Sequence, residues 1–454
     1  MTKPKTAAIV LAAGLGTRMK SARPKALHAI AGRPMVQHVL ASVAALKPDR
    51  TVVVIGPDMD DLARAVRPHP VAVQSRRLGT GHAVLAAKKA LAGFSGSGRD
   101  VLVVFADTPL IRPETLKKMI AARRAKTDPA VVVLGFRAAD PRPYGRLVTD
   151  KNGMLARIVE SRDATAAERE IDLCNAGAMA FDGAVLFDLL GRIRPRNAKK
   201  EYYLTDAIAL ARADGRAIAV VEARESEVMG VNSRIDLAMA EHTIQDELRF
   251  RALEAGATMT DPHTVWFSFD TKLGRDVTIG PNVAFGPGVT VGDAVEIRGF
   301  CHIEGATVAA GAVVGPFARL RPGARIGPGA HIGNFVEIKN ADIGPGAKAN
   351  HLAYVGDARV GPKANIGAGT ITCNYDGRAK HRTEIGAGAF IGSNTALIAP
   401  VKIGAGATIG AGSAIARDVP KDSLALTRPE QRTVKGWARR LKTKTKTKSK
   451  KKAR

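Results

Sequence analysis

A six-residue beat in the C-terminal half limits what this chain of 454 residues can fold into. Aliphatic or aromatic residues return at Ile279, Phe285, Val291, Ile297 and Ile303, then at Val314, Leu320, Ile326, Ile332 and Ile338. They return once more at Ile385, Ile391, Leu397, Ile403, Ile409 and Ile415, commonly with glycine close behind. An amphipathic helix repeats every 3.6 residues and a strand every two, so neither sustains this period. Tandem hexapeptides predict a parallel β-helix, in which each short side points one aliphatic residue inward and Gly-rich corners turn the chain. The beat slips after Ile338, between Val355 and Val360, and between Thr372 and Ile385.

The rest of the chain reads differently. Up to about residue 232, apolar runs at Ala7–Ala12, Thr51–Gly56, Val101–Ala106 and Ala130–Phe136 alternate with helical patterns such as Met35–Leu46 and Gly81–Leu91. That alternation predicts a mainly parallel sheet covered by helices, with ligands at the carboxyl ends of the strands. Ser233–Ala257 has no proline and no interior glycine apart from Gly256 near its end, and reads as one connecting helix. The expected organisation is therefore α/β: a nucleotide-binding domain over 1–232, a linker helix over 233–260, the hexapeptide domain over 261–430 and a basic tail over 431–454.

An apolar content of 45% is enough for real cores, so general disorder is excluded. Aromatic residues make up only 4%, which suits a coil stack filled by Ile, Val and Ala. Cys174, Cys301 and Cys373 are far apart and lack metal-ligand spacing, which predicts a reduced, cytoplasmic protein. No stretch reaches the ~20 apolar residues of a membrane span. The formal charge is +27, and the last 16 residues, Arg439–Arg454, carry ten Lys/Arg; removing those ten leaves +17. The tail is low-complexity and is expected to be disordered and solvated, with no specific nucleic-acid partner. Deleting Arg439–Arg454 is expected to leave catalysis unchanged.

The first predicted strand runs into Leu11-Ala12-Ala13-Gly14-Leu15-Gly16-Thr17-Arg18-Met19. Small residues let backbone N–H groups approach a phosphate, but the Gly-Lys-Ser/Thr ending of a Walker A loop is missing. Gly-x-Gly after a strand is by itself compatible with a dinucleotide fold or a plain tight turn. Arg18 and Arg23-Pro24-Lys25 add fixed cations beside the loop, suited to a triphosphate from which pyrophosphate leaves.

LAAGLGTRM with PKAL downstream, and GTGHAV at Gly79–Val84, resemble the signature of sugar-nucleotide pyrophosphorylases. With the hexapeptide half attached, the chain is similar from about Lys5 to about Trp437 to the bacterial bifunctional enzymes that make UDP-N-acetylglucosamine. These join N-acetylglucosamine-1-phosphate uridyltransferase to glucosamine-1-phosphate acetyltransferase. The resemblance implies a Rossmann-like nucleotidyltransferase domain and a left-handed parallel β-helix. It also implies a cytoplasmic homotrimer that supplies precursors of peptidoglycan and lipopolysaccharide.

The family's uridyl-nucleotide positions fall on Leu11, Ala12, Ala13, Gly14, Gln74, Gly79 and Thr80, with Lys25 and Arg18 holding phosphates. Asp107 and Asn232 match its Mg²⁺ ligands, and Gly145, Glu160 and Asn175 match its sugar contacts. Out of context, Asp107 would read as a turn cap before Pro109 and Asn232 as a turn residue. The family usually has glycine before the magnesium aspartate; this chain has Ala106, whose methyl is expected to crowd the nucleotide slightly.

In the hexapeptide half, Arg321, Lys339, Tyr354, Asn365 and Lys380 match contacts to glucosamine-1-phosphate or acetyl-CoA. Ala368, Asn374, Tyr375, Ser393, Ala411 and Arg428 match further acetyl-CoA contacts, and His351 matches the general base. Histidine, with an unperturbed pKa near 6.5, suits proton removal near neutral pH. A β-helix serving only as scaffold is the competing reading of this half. It gives no reason for Lys339, His351 and Tyr354 to gather near the slips, or for Asn374, Tyr375 and Lys380 to fill the longest one. A nucleic-acid binder would interleave aromatic residues with the basic tail, where only Trp437 is near; an anchoring role against the β-helix is expected for it.

Overall fold

In the computed structural model, residues 4–142 and 144–440 are described; the tail from residue 441 lies outside them. The chain packs as two units. One comprises residues up to Arg251 together with Phe267–Phe269, the other Ala252–Trp266 and everything from Asp270 onward.

The first unit is built on a nine-stranded sheet. Its strands are β1 (Lys5–Leu11), β2 (Arg50–Ile55), β3 (Val71–Val73), β4 (Arg99–Phe105), β5 (Val131–Arg137), β6 (Arg146–Thr149), β7 (Leu155–Val159), β8 (Leu173–Asp182) and β9 (Ile218–Glu222). The order is β9-β5-β8-β4-β1-β2-β3, with the β6–β7 hairpin pairing at β8. β1 lies parallel to both β2 and β4. From β1 the chain builds outward through β2 and β3, then crosses to the other side as β4. This reversal leaves a crevice at the carboxyl ends of β1 and β4, the usual ligand position of such sheets. The sheet departs from the parallel expectation in the middle, where β8 runs antiparallel to β4 and β5. Its Ala- and Gly-rich sequence, LCNAGAMAFD, lacks the β-branched run that marks the other central strands. β1, β2, β4 and β5 are buried on both faces, so they read as continuous apolar runs.

The long helix spans Arg234–Glu254, three residues shorter at its end than the sequence suggests. Asp236 accepts backbone N–H groups of Asn232 (2.9 Å) and Ser233 (2.8 Å), while Ser233 Oγ accepts from Asp236 N, a reciprocal N-terminal cap. Gly256 (φ 95°) turns the chain just beyond the end. The helix is more than a connecting arm. Through Arg251 it belongs to the first unit, with Gln245 and Arg249 buried. Gln245 Nε2 donates to the Phe267 carbonyl (2.7 Å), and Phe267 N donates back to Oε1 (2.8 Å).

The second unit is a parallel β-helix whose three faces are sheets of ten, eight and eight strands, met in the same order on every coil. The sixteen residues of the beat are all buried, with at most 4% exposed. The stack has a second inward position that the beat did not reveal. Two residues before the aliphatic side chains, a second and commonly smaller one is buried as well: Val277, Cys301, Ala312, Ala330, Ala389, Thr395 and Ser413 are examples. Small residues there let the corner close without overfilling the coil.

The slips are of two physical kinds. Val308, Ile343 and Val360 are all buried, each five residues after Ile303, Ile338 and Val355, and all three begin or lie on the third face. Each is a one-residue shortening of the same corner, and the coil continues undisturbed. Only between Thr372 and Ile385 does the chain leave the stack, as a loop pinned by the Tyr375–Lys380 bridge. Lys339, His351 and Tyr354 therefore sit on regular strands, Glu337–Lys339, Lys348–His351 and Tyr354–Gly356, rather than in irregular segments. Trp437 is 60% exposed and does not anchor the last described segment by burial.

Candidate functional sites

At the crevice between β1 and β4 lies a cavity of about 400 Å³. Ten of the residues singled out in the sequence line it: Leu11, Ala12, Ala13, Gly14, Lys25, Gln74, Gly79, Thr80, Asp107 and Asn232. The strand registers explain this. Ala12 N donates to Val54 O (2.8 Å) and Ala106 N to Leu11 O (3.0 Å), so the loop after β1 is held in the sheet plane until Ala13. Gly16 then turns at φ 63°, and a Cβ there would lie 2.6 Å from the Cβ of Lys25. This close approach places Lys25 beneath the loop. Lys25 Nζ donates to Asn232 Oδ1 at 3.0 Å and is ion-paired with Asp107.

Asp107 and Asn232 thus aim a carboxylate and an amide oxygen at one point that already favours positive charge. Two hard oxygen donors with open sides fit a Mg²⁺ ion whose remaining ligands come from phosphates and water. Ala106 lines the cavity, yet it is only 1% exposed and packs in the apolar layer with Val104 and Val132. Its methyl is absorbed by the core more than it is presented to a ligand.

Arg18, Gly145, Glu160 and Asn175 do not line this cavity. Arg18 and Glu160 line a second one of about 480 Å³ with Ser161, Arg162, Lys199 and Tyr203. Gly145 lies against Glu160, and Asn175 N donates to Gly145 O (2.8 Å). Burial lifts the Glu160 carboxyl above its usual range, opposed by the Thr205 hydroxyl that donates to it at 3.3 Å. Burial also pushes the Tyr203 phenol up to about 12.

Lys199 lines both cavities and Arg77 the first, and neither was singled out in the sequence. Arg77 Nε donates to Ala13 O (2.8 Å), bracing the glycine-rich loop. Its place two residues before Gly79 was the available signal. Lys199 sits in a polar loop with nothing to distinguish it from other surface lysines.

On the β-helix the expected residues form two groups at opposite edges of the second face. At the entry corner, His351, Ala368, Ser393 and Ala411 occupy the same position in successive coils. Gly369 N donates to His351 O (3.4 Å), Asn394 N to Ala368 O (2.7 Å) and Gly412 N to Ser393 O (2.8 Å). A Cβ on Gly410 would lie 3.6 Å from the Arg428 guanidinium, so Arg428 joins the top of this column. Asn365 is on the strand leading into it. His351 is exposed, and its Nδ1 lies 2.6 Å from Asn334 Oδ1 one coil away.

At the exit edge, Arg321 donates to Glu337 (2.8 Å), and Lys339 and Lys380 lie side by side. The Lys380 ammonium beside it, above all, holds Lys339 below the ordinary lysine range. Three cations converging in this way suit a phosphate. Asp357 organises the edge, accepting from Asn340 Nδ2 (2.6 Å) and from Asn374. Asn374 Nδ2 also approaches the Tyr354 hydroxyl at 3.4 Å. Tyr375 is 61% exposed on the loop. Asp376 clamps that loop by accepting Ala379 N, His381 Nε2 and Arg378 N, bonds that hold its carboxyl well below the usual range.

Gly356 is a further residue that the sequence did not mark. A Cβ there would lie 2.3 Å from the Tyr354 hydroxyl, so the phenol lies across a position that must be bare. Its φ is not in the left-handed region, so alanine strains the Tyr354 contact and not the backbone. Gly356→Ala is expected to displace the Tyr354 ring and reduce CoA release by roughly tenfold. Uridyl transfer, measured as pyrophosphate release on the same preparation, is expected to be unchanged.

Comparison with known proteins gives two domain families. The family of MobA-like NTP transferase domains matches residues 8–170. Bacterial transferase hexapeptide repeats match 270–305, 305–340 and 382–417. Among curated relatives, the bifunctional protein GlmU of Paramagnetospirillum magneticum is 60% identical over 452 residues, covering all of both chains. Those of Rhodospirillum rubrum and Azorhizobium caulinodans are 63% and 56% identical, each over 96% of both chains.

Proposed function

The chain belongs to the GlmU family of bifunctional proteins, and from that membership we propose how its two sites divide the work. The protein is a bifunctional transferase, acting as a glucosamine-1-phosphate acetyltransferase and an N-acetylglucosamine-1-phosphate uridyltransferase. It uses a nucleotide and an acyl-CoA as co-substrates. What carries the assignment of the uridyl site is the convergence of Lys25, Asp107 and Asn232 at the floor of the cavity between β1 and β4.

In that cavity the backbone of Leu11–Gly14 with Gln74, Gly79 and Thr80 receives the uridine nucleotide. Glu160 in the adjoining cavity, with Gly145 and Asn175 next to it, holds the sugar, and Lys199 and Arg18 are the nearby cations. A phosphate oxygen of N-acetylglucosamine-1-phosphate attacks the α-phosphorus of UTP; a P–O bond forms there as the bond to pyrophosphate breaks. The attacking oxygen is already anionic, so no base is needed. Lys25 supplies fixed positive charge where charge accumulates, and Arg18 acts from the adjoining cavity. A Mg²⁺ ion held by Asp107 and Asn232 would neutralise further phosphate charge.

On the β-helix, His351 takes a proton from the 2-amino group of glucosamine-1-phosphate as its nitrogen attacks the thioester carbonyl. The C–N bond forms, the C–S bond breaks and CoA leaves. Arg321, Lys339 and Lys380 hold the sugar phosphate. The column of Ala368, Ser393, Ala411 and Arg428, with Asn365, Asn374 and Tyr375, receives acetyl-CoA.

One chain places these two groups at opposite edges of a face, which supports a site completed by a second copy in a homotrimer. An exposed ladder of Phe300, Phe317, Phe335 and Leu352 runs down the His351 corner, the phenyl rings stacked at 4.8 and 5.1 Å. Such a stripe is suited to burial between copies. Sedimentation of the full chain is expected to give a trimer; a monomer with full acetyl transfer would refute the shared site. No helix among the described residues is long and apolar enough to cross a membrane, in keeping with the cytoplasmic location we propose.

The division of labour is tested by supplying glucosamine-1-phosphate, acetyl-CoA, UTP and Mg²⁺. CoA and pyrophosphate are expected to appear in equal amounts. Omitting acetyl-CoA should stop both, whereas omitting UTP should stop only pyrophosphate. Pyrophosphate formed from glucosamine-1-phosphate without acetyl-CoA would overturn the proposed order.

A further inference from the structure

The His351 ring lies at an exposed corner, where little packing restrains it. What orients it is a single side chain one coil below. The strands His331–Asn334 and Lys348–His351 pair in parallel with Asn334 opposite His351. This register brings the Asn334 amide oxygen to 2.6 Å from His351 Nδ1. An amide oxygen only accepts, so Nδ1 carries the hydrogen and donates it. In the neutral ring Nε2 is then left with the lone pair.

We propose that Asn334 is the positioning residue of the acetyl-transfer reaction, fixing the tautomer and the ring plane of His351 so that Nε2 is the atom that takes the substrate proton. This inference rests on the reading of His351 as the base. Asn334 has no place in the resemblance from which the other site residues were drawn; it follows from the coil register alone. The same column position holds Ala368, Ser393 and Ala411 in later coils, none with an amide, so the pair is not a repeating device for stacking coils. Asparagine suits the role better than aspartate for a base that must be neutral to act. A carboxylate at 2.6 Å would favour the imidazolium and keep the proton on the ring.

The charged and titratable groups around this pair are few among the described residues. On the strand below, His331 is held below the ordinary histidine range by burial, with Arg298 and Lys348 acting in the same direction and Glu296 against them. Lys348 is on the strand of His351 itself. The strand above, Asn365–Ile366, is uncharged, as are Phe335, Leu352 and Gly369 in the adjacent corner. A carboxylate introduced at Asn334 would therefore be the new charge that His351 feels at short range.

The test uses the full-length enzyme, with CoA release read as kcat and KM over pH, and pyrophosphate release from supplied N-acetylglucosamine-1-phosphate as a control of the other site. Asn334→Ala is expected to lower kcat for acetyl transfer by roughly ten- to a hundredfold. Both KM values should stay within about twofold, and uridyl transfer should be intact. Asn334→Asp is expected to recover much of that loss and to move the acid limb of the kcat profile to higher pH by about one unit. A purely structural role for Asn334 would not move that limb. An Asn334→Ala enzyme with the parent's kcat, or an Asn334→Asp enzyme with the parent's acid limb, would overturn the proposal while leaving His351 as the base. A His351→Ala enzyme with full acetyl transfer would overturn the base assignment itself, and the role of Asn334 with it.

Discussion

Replacing His351 with alanine is expected to remove acetyl transfer and leave uridyl transfer intact. The attacking group in acetyl transfer is an amine that must shed a proton as its bond to carbon forms. A positioned base is worth about 10²–10⁴-fold in such a step, and CoA release should fall by that factor. His351 is exposed and lies outside the buried stack, so its loss opens no cavity in the core. When N-acetylglucosamine-1-phosphate is supplied with UTP and Mg²⁺, the variant should release pyrophosphate at the parental rate. Loss of both reactions in folded protein would refute a division between two sites.

Asp107→Ala is expected to do the reverse. This carboxylate is ion-paired with Lys25 at the cavity floor, beside the Asn232 amide oxygen. Removing it takes away the anionic ligand proposed for Mg²⁺ and the ion pair to Lys25, so the fixed charges that should meet the triphosphate are both disturbed. Pyrophosphate release should fall by at least about 10²-fold, the usual scale for deleting one electrostatic contact to a developing charge. Asp107→Asn, which keeps the shape and loses the charge, should lie nearer the alanine variant than the parent. Acetyl transfer should be unaffected in both, and chelating Mg²⁺ should reproduce the pattern in the unaltered enzyme. If chelation stopped acetyl transfer equally, the assignment of Mg²⁺ to the N-terminal site would be refuted.

The two residues also differ in how legible they were in the sequence. Asp107 lies just past the apolar strand β4, which ends at Phe105, and stood out only through its match to the family's motif. His351 stood out only through its setting in NHLAYVGD. The irregularity that seemed to mark it was a shortened corner, of the kind also found between Ile303 and Val308. Gly356, Asn334, Arg77 and Lys199 left no comparable trace. Gly356 meets the Tyr354 ring two residues away on its own strand, while the other three lie against neighbours distant in sequence: Arg77 against Ala13, Asn334 against His351 seventeen residues on, Lys199 near Glu160 across the domain.

Periodicity fixed the β-helix by itself, because an inward position every six residues has only one repetitive solution that buries it. The glycine-rich loop, the cations beside it and the acidic strand end likewise belong to short segments whose chemistry is local. Tertiary structure decided the rest: the antiparallel β8 inside the parallel sheet, the helix that joins the first unit, the second cavity that separates Arg18 from Lys25, and the two edges between which the residues proposed for acetyl transfer are divided. These depend on which strands become neighbours. A short stretch of sequence states what each strand buries, but not what lies beside it.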